Sequence, residues 1–204
     1  MLIFGLGNLP YPKSRHSVGQ LIIEGLAARF GTRLAYEPKL EAFHASVEGL
    51  EMPGSPNNKR LKISLAKSKN LMNISGPSVK RTYDSVLHHT QTFHPRNRRV
   101  IIIHDSIDQA PFKISPRFGG SARGHNGVRS VIASLGTQDF YRIRIGVGAP
   151  TQRGVLEQFV LGRLSPEELE YWQPGGEGIE RVWEAVVKII QDECVTFASS
   201  KKAF

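Results

Sequence analysis

The sequence predicts an α/β layered fold, and three observations carry that prediction. Short apolar runs of strand character alternate with segments of helical spacing. No internal repeat is visible, and no linker is long enough to split the chain. Its 204 residues suit one domain, and 40% hydrophobic residues can fill an ordinary core.

The elements follow in order. Residues 1–6 form an apolar strand that ends in Gly5-Leu6-Gly7-Asn8. Val18, Leu21, Ile22 and Leu26 recur at helical spacing, so a helix is expected over 18–30, stopped by Gly31. Residues 43–47 and 61–66 alternate like strands, with loop chemistry over 52–59 between them. A helix over 77–89 would place Val79, Tyr83, Val86 and Leu87 on one side. The polar, basic stretch 90–99 follows, and His88, His89 and His94 read as solvated. Residues 100–104 are a buried strand and 112–118 a less regular one. A short helix over 128–135 lies between Gly127 and Gly136. Residues 140–147 alternate Arg with Ile, which predicts a strand with one solvated face. Ser165-Pro166-Glu167-Glu168 is a helix start: a capping serine, proline at the first position, and glutamate three after the serine. The last helix is expected over 179–197.

Charge is unevenly spread. The formal net charge is +9, yet residues 165–193 carry eight acids against two bases, leaving 23 bases and 10 acids in residues 1–164. An acidic helical end and a strongly basic remainder suggest a nucleic-acid partner for the first 164 residues. No apolar run approaches the roughly 20 residues of a membrane helix. The lone Cys194 excludes an internal disulfide and any cysteine-based zinc cluster, so a reducing compartment is expected. The first strand begins at Leu2, and no signal peptide is expected.

Residues 101–150 carry most of the chemistry. An apolar run ends abruptly in His104-Asp105, a basic segment follows, then Gly124-His125-Asn126-Gly127, then an Arg-laced strand. Asp105 closes a strand that has no structural use for a charge. A carboxylate there can orient an imidazole, or it can serve as a turn acid. His16 opens the first helix beside the glycine turn that presents Asn8, where open α/β sheets bind ligands. Asn73 and Asn126 each offer a donor and an acceptor suited to a peptide unit, though loop capping is the commoner use. Two readings fail. The third glycine of a dinucleotide fingerprint would fall at Pro10, and the acid expected after a second strand is missing. His104, Asp105 and Asp108 are too few for a metal site and lack partner histidines at suitable spacing.

Taken together, these motifs resemble bacterial-type peptidyl-tRNA hydrolases. The resemblance runs from Leu2 to about Leu164. It is carried by Gly5-Leu6-Gly7-Asn8, Arg15-His16, Met72-Asn73-Ile74-Ser75-Gly76, His104-Asp105, Gly119-Gly120 and Gly124-His125-Asn126-Gly127. Arg142-Ile143-Arg144-Ile145-Gly146-Val147-Gly148 and Phe159-Val160-Leu161-Gly162 complete it. It implies a single α/β domain with a twisted mixed sheet flanked by helices, spanning 1–204, monomeric and free of metal and cofactor. It implies catalysis by His16, Asp105 and Asn8, and substrate binding by Tyr11, Met72, Asn73, His125 and Asn126. Peptidyl-tRNA is the implied partner, with Lys113, Arg117, Arg123, Arg142 and Arg144 as phosphate contacts. The implied location is the cytoplasm, or a mitochondrion.

The chain departs from the family at several points. Asn8-Leu9-Pro10 replaces Asn-Pro-Gly, with a shorter path to Tyr11. Arg15-His16-Ser17 replaces Arg-His-Asn, and Asp105-Ser106-Ile107-Asp108 replaces Asp-Glu-Leu-Asp. The segment after Pro150, a lid in relatives, is trimmed. Lengthened segments at 52–59 and 90–99 suggest a eukaryotic, fungal-like member. Two rivals stand beside the hydrolase: a catalytically silent RNA-binding protein on the same fold, and an esterase or amidase acting on another acylated substrate. The intact His16, Asp105 and asparagine set argues against the first, and the basic excess against the second.

Overall fold

The computed structural model describes residues 1–51, 60–87, 99–152 and 154–201. The expected loop at 52–59, His88, His89, His94, most of the 90–99 segment and the side chain of Cys194 lie outside the described residues.

Seven strands form one mixed sheet: β1 (Leu2–Gly5), β2 (Ala35–Glu37), β3 (Ala42–Glu51), β4 (Arg60–Ser68), β5 (Val100–Ser106), β6 (Ile114–Phe118) and β7 (Tyr141–Gly146). The spatial order is β2-β3-β4-β1-β5-β7-β6. The central four, β4, β1, β5 and β7, run parallel, while β3 and β6 pair antiparallel with their neighbours. Helices α1 (Val18–Arg29), α2 (Gly76–Leu87), α3 (Asn126–Leu135), α4 (Leu156–Leu161), α5 (Pro166–Trp172) and α6 (Glu177–Lys201) complete the fold.

The strand period of two divides the core. Ile3, Ile101, Ile103, Ile143 and Ile145 pack with α1, Trp172 of α5, and Ile179, Val182 and Val186 of α6. Leu2, Phe4, Val100 and Ile102 face the other way, against Val79 of α2 and Val128 and Val131 of α3. Helix α1 lies very close to the sheet, because Gly19 has no side chain. A Cβ there would collide with the carbonyl oxygen of Ile103. The capping box at Ser165 and Glu168 forms as the sequence predicts.

One expectation needs correction. The Arg–Ile alternation of β7 predicts a solvated face, but β7 lies between β5 and β6, and Arg142 is only 3% exposed. The guanidinium is covered because the chain after β6 folds over it.

The carboxyl ends of β1, β4 and β5 are adjacent. They lead respectively into Asn8, into the single turn Met72–Ile74, and into Asp105 at the end of β5 itself. Three segments far apart in sequence thus deliver polar groups to one edge of the sheet.

Candidate active site

Asp105 is the centre of the site and is 2% exposed. Its Oδ1 lies 2.8 Å from Nδ1 of His16 and 2.9 Å from Nε2 of His125. His16 sits in the single 3-10 turn Arg15–Ser17 that precedes α1. Arg15 anchors that turn from outside. It donates to the carbonyl of Arg163 at 3.0 Å, lies 3.6 Å from Glu168, and stacks over Phe159. The main chain adds bonds from Arg15 N–H to Gly162 and from Leu164 N–H to Lys13. The segment after Pro150 thus braces the loop that carries His16. Together with α4, it frames an open groove of about 250 Å³ lined by Arg15, Gln152, Val155, Gln158, Phe159 and Gly162.

The hydrogen bonds settle the proton positions. His125 is the residue before α3, and its Nδ1 accepts the Val128 N–H at 3.2 Å. Its proton is therefore on Nε2 and is donated to Asp105. His16 donates Nδ1–H to the same oxygen, which leaves its Nε2 lone pair free to take a proton. Burial alone would raise the Asp105 carboxyl. The electrostatic pull and N–H bonds of His125 and His16 overcome that and hold it well below the usual carboxylate range. The same tautomer bears on metal binding. His16, Asp105 and His125 have potential ligand atoms within 4.8 Å of one another. An ion on Nε2 of His125 would push the proton to Nδ1, against the Val128 N–H, so the capped helix opposes that use.

His104, which the sequence offers only as the neighbour of Asp105 and as a discarded metal ligand, is a participant in the site. Its ring packs edge-on against His125 at 4.7 Å, and His125 lies 5.1 Å from His16. Its Nδ1 donates to the Asp105 carbonyl at 2.7 Å, while Nε2 is buried and unpartnered. Burial, followed by the neighbouring His125, pushes its pKa down to about 3, so the ring stays neutral.

Asn8 is buried, and its side-chain Oδ1 accepts the Met72 N–H at 2.6 Å. The NH₂ is then the end that can act on another group. The side chain of Met72 is itself 3% exposed and packs on Gly127, where any Cβ would overlap its sulfur. Asn73, Asn126 and Tyr11 are exposed, Tyr11 at 50%.

The expected phosphate contacts divide. Arg117, Arg123, Arg142 and Arg144 form one cluster, since their charges act on one another. Arg117 faces Arg142 across β6 and β7. Arg142, however, points its donors at the carbonyls of Gly119, Gly120 and Ser121. Burial, then the three neighbouring arginines, lowers its pKa to about 10, which still leaves it charged. It holds a loop in which Gly119, Gly120, Arg123 and Gly124 all have positive φ. Arg117 and Arg123 are exposed and Arg144 half-buried. Lys113 is exposed beyond the other end of β6, near Gly146, and is not among the charges acting on the cluster.

Fold and site together define a class: a single-domain α/β protein with a buried carboxylate bonded to a histidine at the carboxyl edge of a mixed sheet, suited to hydrolysis. The peptidyl-tRNA hydrolase family model matches residues 2–203, and the chain belongs to that family. It is 35% identical over 173 residues to a probable peptidyl-tRNA hydrolase of Mus musculus, covering 85% of this chain and 78% of that one. It is 32% identical over 205 residues to the peptidyl-tRNA hydrolase of Clostridium beijerinckii, covering 100% and 96%. The crystal structure of peptidyl-tRNA hydrolase from Acinetobacter baumannii superposes with a TM-score of 0.72 at 27% identity, over 96% of this chain and 90% of that one.

Proposed function

We infer that the chain hydrolyses the ester joining a peptide's terminal carbonyl to a ribose hydroxyl of tRNA, releasing free tRNA. One observation carries the assignment of roles: Asp105 Oδ1 accepts from Nδ1 of His16 at 2.8 Å, leaving the imidazole's other nitrogen as the base. His16 takes a proton from water, a role worth roughly 10²–10⁴ in rate. Asp105 keeps the tautomer and stabilises the imidazolium that forms. His125 donates to the same carboxylate oxygen and holds it in place. Asn8, its Oδ1 engaged by Met72, directs its NH₂ to the oxyanion that develops on the carbonyl.

Asn73 and Asn126 pair with the first peptide unit, and Met72, His125 and Tyr11 shape the cleft around it. Groups placed for an amide do not match a free α-ammonium, so unblocked aminoacyl-tRNA is a poor substrate. Arg117, Arg123 and Arg144 meet phosphates, and Lys113 adds charge at the far end of β6. Arg142 supports them by holding the Gly119–Ser121 carbonyls. The protein works as a monomer, spans one domain over residues 1–204, and needs no metal or cofactor. Among the described residues no helix is long and apolar enough to cross a membrane. We place the protein in the cytoplasm or a mitochondrion. The lengthened segments at 52–59 and 90–99 support a eukaryotic, fungal-like origin.

The test is to incubate the protein with N-acyl-aminoacyl-tRNA and with unblocked aminoacyl-tRNA, and to measure release of each. Release from the blocked substrate alone is expected. Equal release from both would reject the amide-recognition role, and release from neither would reject the activity.

A further inference from the structure

We propose that Ser17 is a positioning residue whose hydroxyl clips the main chain of Asn8 and so aims the Asn8 amide at the reacting carbonyl. This rests on the role given to Asn8 above. Ser17 is fully buried and directly follows His16 in sequence. Its Oγ accepts the Asn8 N–H at 2.9 Å and donates to the Asn8 carbonyl at 3.1 Å. One hydroxyl therefore holds both main-chain polar groups of one residue. Ser14, 3% exposed, stands behind it. Its Oγ lies 3.1 Å from Ser17 Oγ and 2.8 Å from the Tyr11 carbonyl. The Asn8 carbonyl also receives the Tyr11 N–H at 2.9 Å. The loop from Asn8 to Ser17 is thus closed on itself by two serines.

The other end of Asn8 is fixed independently by the Met72 N–H. An amide pinned at Oδ1, on a main chain pinned at N and O, has one direction left for its NH₂. That direction matters only when charge develops on the substrate, so the clip acts in the transition state rather than in binding. A buried hydroxyl stripped of water gains nothing by burial unless it is paired. Here the pairs are all with this loop.

Ser17→Ala keeps nearly the same volume and leaves the Asn8 N–H without its acceptor. On N-acyl-aminoacyl-tRNA, kcat should fall about tenfold, the scale of one lost buried partner, with KM within about twofold. The discriminating measurement is a double-mutant cycle. In an Asn8→Ala background, Ser17→Ala should change kcat by less than about twofold, because the group it aims is gone. Equal loss in both backgrounds would mean a general structural role and overturns the proposal, as does wild-type kcat in Ser17→Ala. If Ser17→Ala does not fold, the cycle is run with Ser17→Cys, which keeps the shape and weakens both bonds. A normal kcat in Asn8→Ala removes the reading of Asn8 and this proposal together. A depressed kcat in Asn8→Ala with an additive cycle removes the Ser17 proposal alone.

Discussion

Two polar clusters sit on the neighbouring strands β5 and β7 and are built on opposite plans. Around Asp105 a carboxylate receives two N–H donors and His104 stays neutral. Around Arg142 four guanidiniums gather. Among the described residues none of the four is in an ion pair, and Asp108 is the acid whose charge reaches Arg144. The first cluster is complete as it stands, which suits chemistry that needs preset geometry. The second keeps an excess of positive charge with no ion pair among the described residues, which suits recognition of negative charge. Like charges so placed repel in the free protein, and a bound phosphate relieves that repulsion.

The sharpest break between the two is His16→Ala. Turnover should fall 10²–10⁴-fold while the fold and tRNA affinity stay intact. Retention of more than about a tenth of the activity would remove His16 from its role. Next comes Asp105→Asn, which disturbs a tautomer and an imidazolium rather than a binding contact. Turnover should drop about 10²-fold or more, with KM little changed. A change confined to KM would make Asp105 a recognition residue.

The arginine cluster should respond in affinity. The log–log slope of tRNA binding against salt is about −0.7 to −0.9 per phosphate contact. Arg117→Glu and Arg144→Glu should each flatten it, whereas Glu180→Lys on α6 should leave it nearly unchanged. A salt-insensitive affinity in the wild type would move recognition away from this cluster.

The smallest effect concerns His104 and stability. Its folded pKa, about 3, lies below the unfolded value near 6.5. Between those values the unfolded chain binds a proton that the folded one refuses, so stability falls as pH falls below about 6.5. The slope from this group is up to about 1.4 kcal/mol per pH unit. Asp105, depressed in the fold, adds its own loss only below about pH 4. Denaturant unfolding at pH 7.5 and 5 should therefore show a smaller acid loss in His104→Gln than in the wild type. Identical losses would mean that His104 is not the group that resists protonation.

The sheet and the long helices were legible because apolar period sets them, and β1, β5 and α1 lie within a residue or two of expectation. Strand β2 escaped because Ala35-Tyr36-Glu37 is three residues long and pairs only with β3. Helix α4 escaped because it buries no residue and has no side-chain cap. The types and order of the site residues were readable, and their grouping followed from resemblance alone. Nothing local in sequence joins His16 to Asp105, 89 positions apart. Capping by His125 was hidden because histidine is not among the favoured caps. Arg142 was misjudged for a different reason. Sequence period cannot show that Gly119–Ser121 folds back to offer it three carbonyls.

The placement of β1 between β4 and β5 has a consequence for biosynthesis. Strand β1 is made before either of its neighbours, residues 60–68 and 100–106. Parallel pairings of such separation close late. His16 therefore waits unpartnered while most of the chain is still to come, and Asp105 gains its second donor only once His125 has emerged. A growing polypeptide is itself a blocked aminoacyl-tRNA, the very linkage this enzyme severs. Until Asp105 has been made, the nascent hydrolase has no assembled machinery with which to release itself from the ribosome.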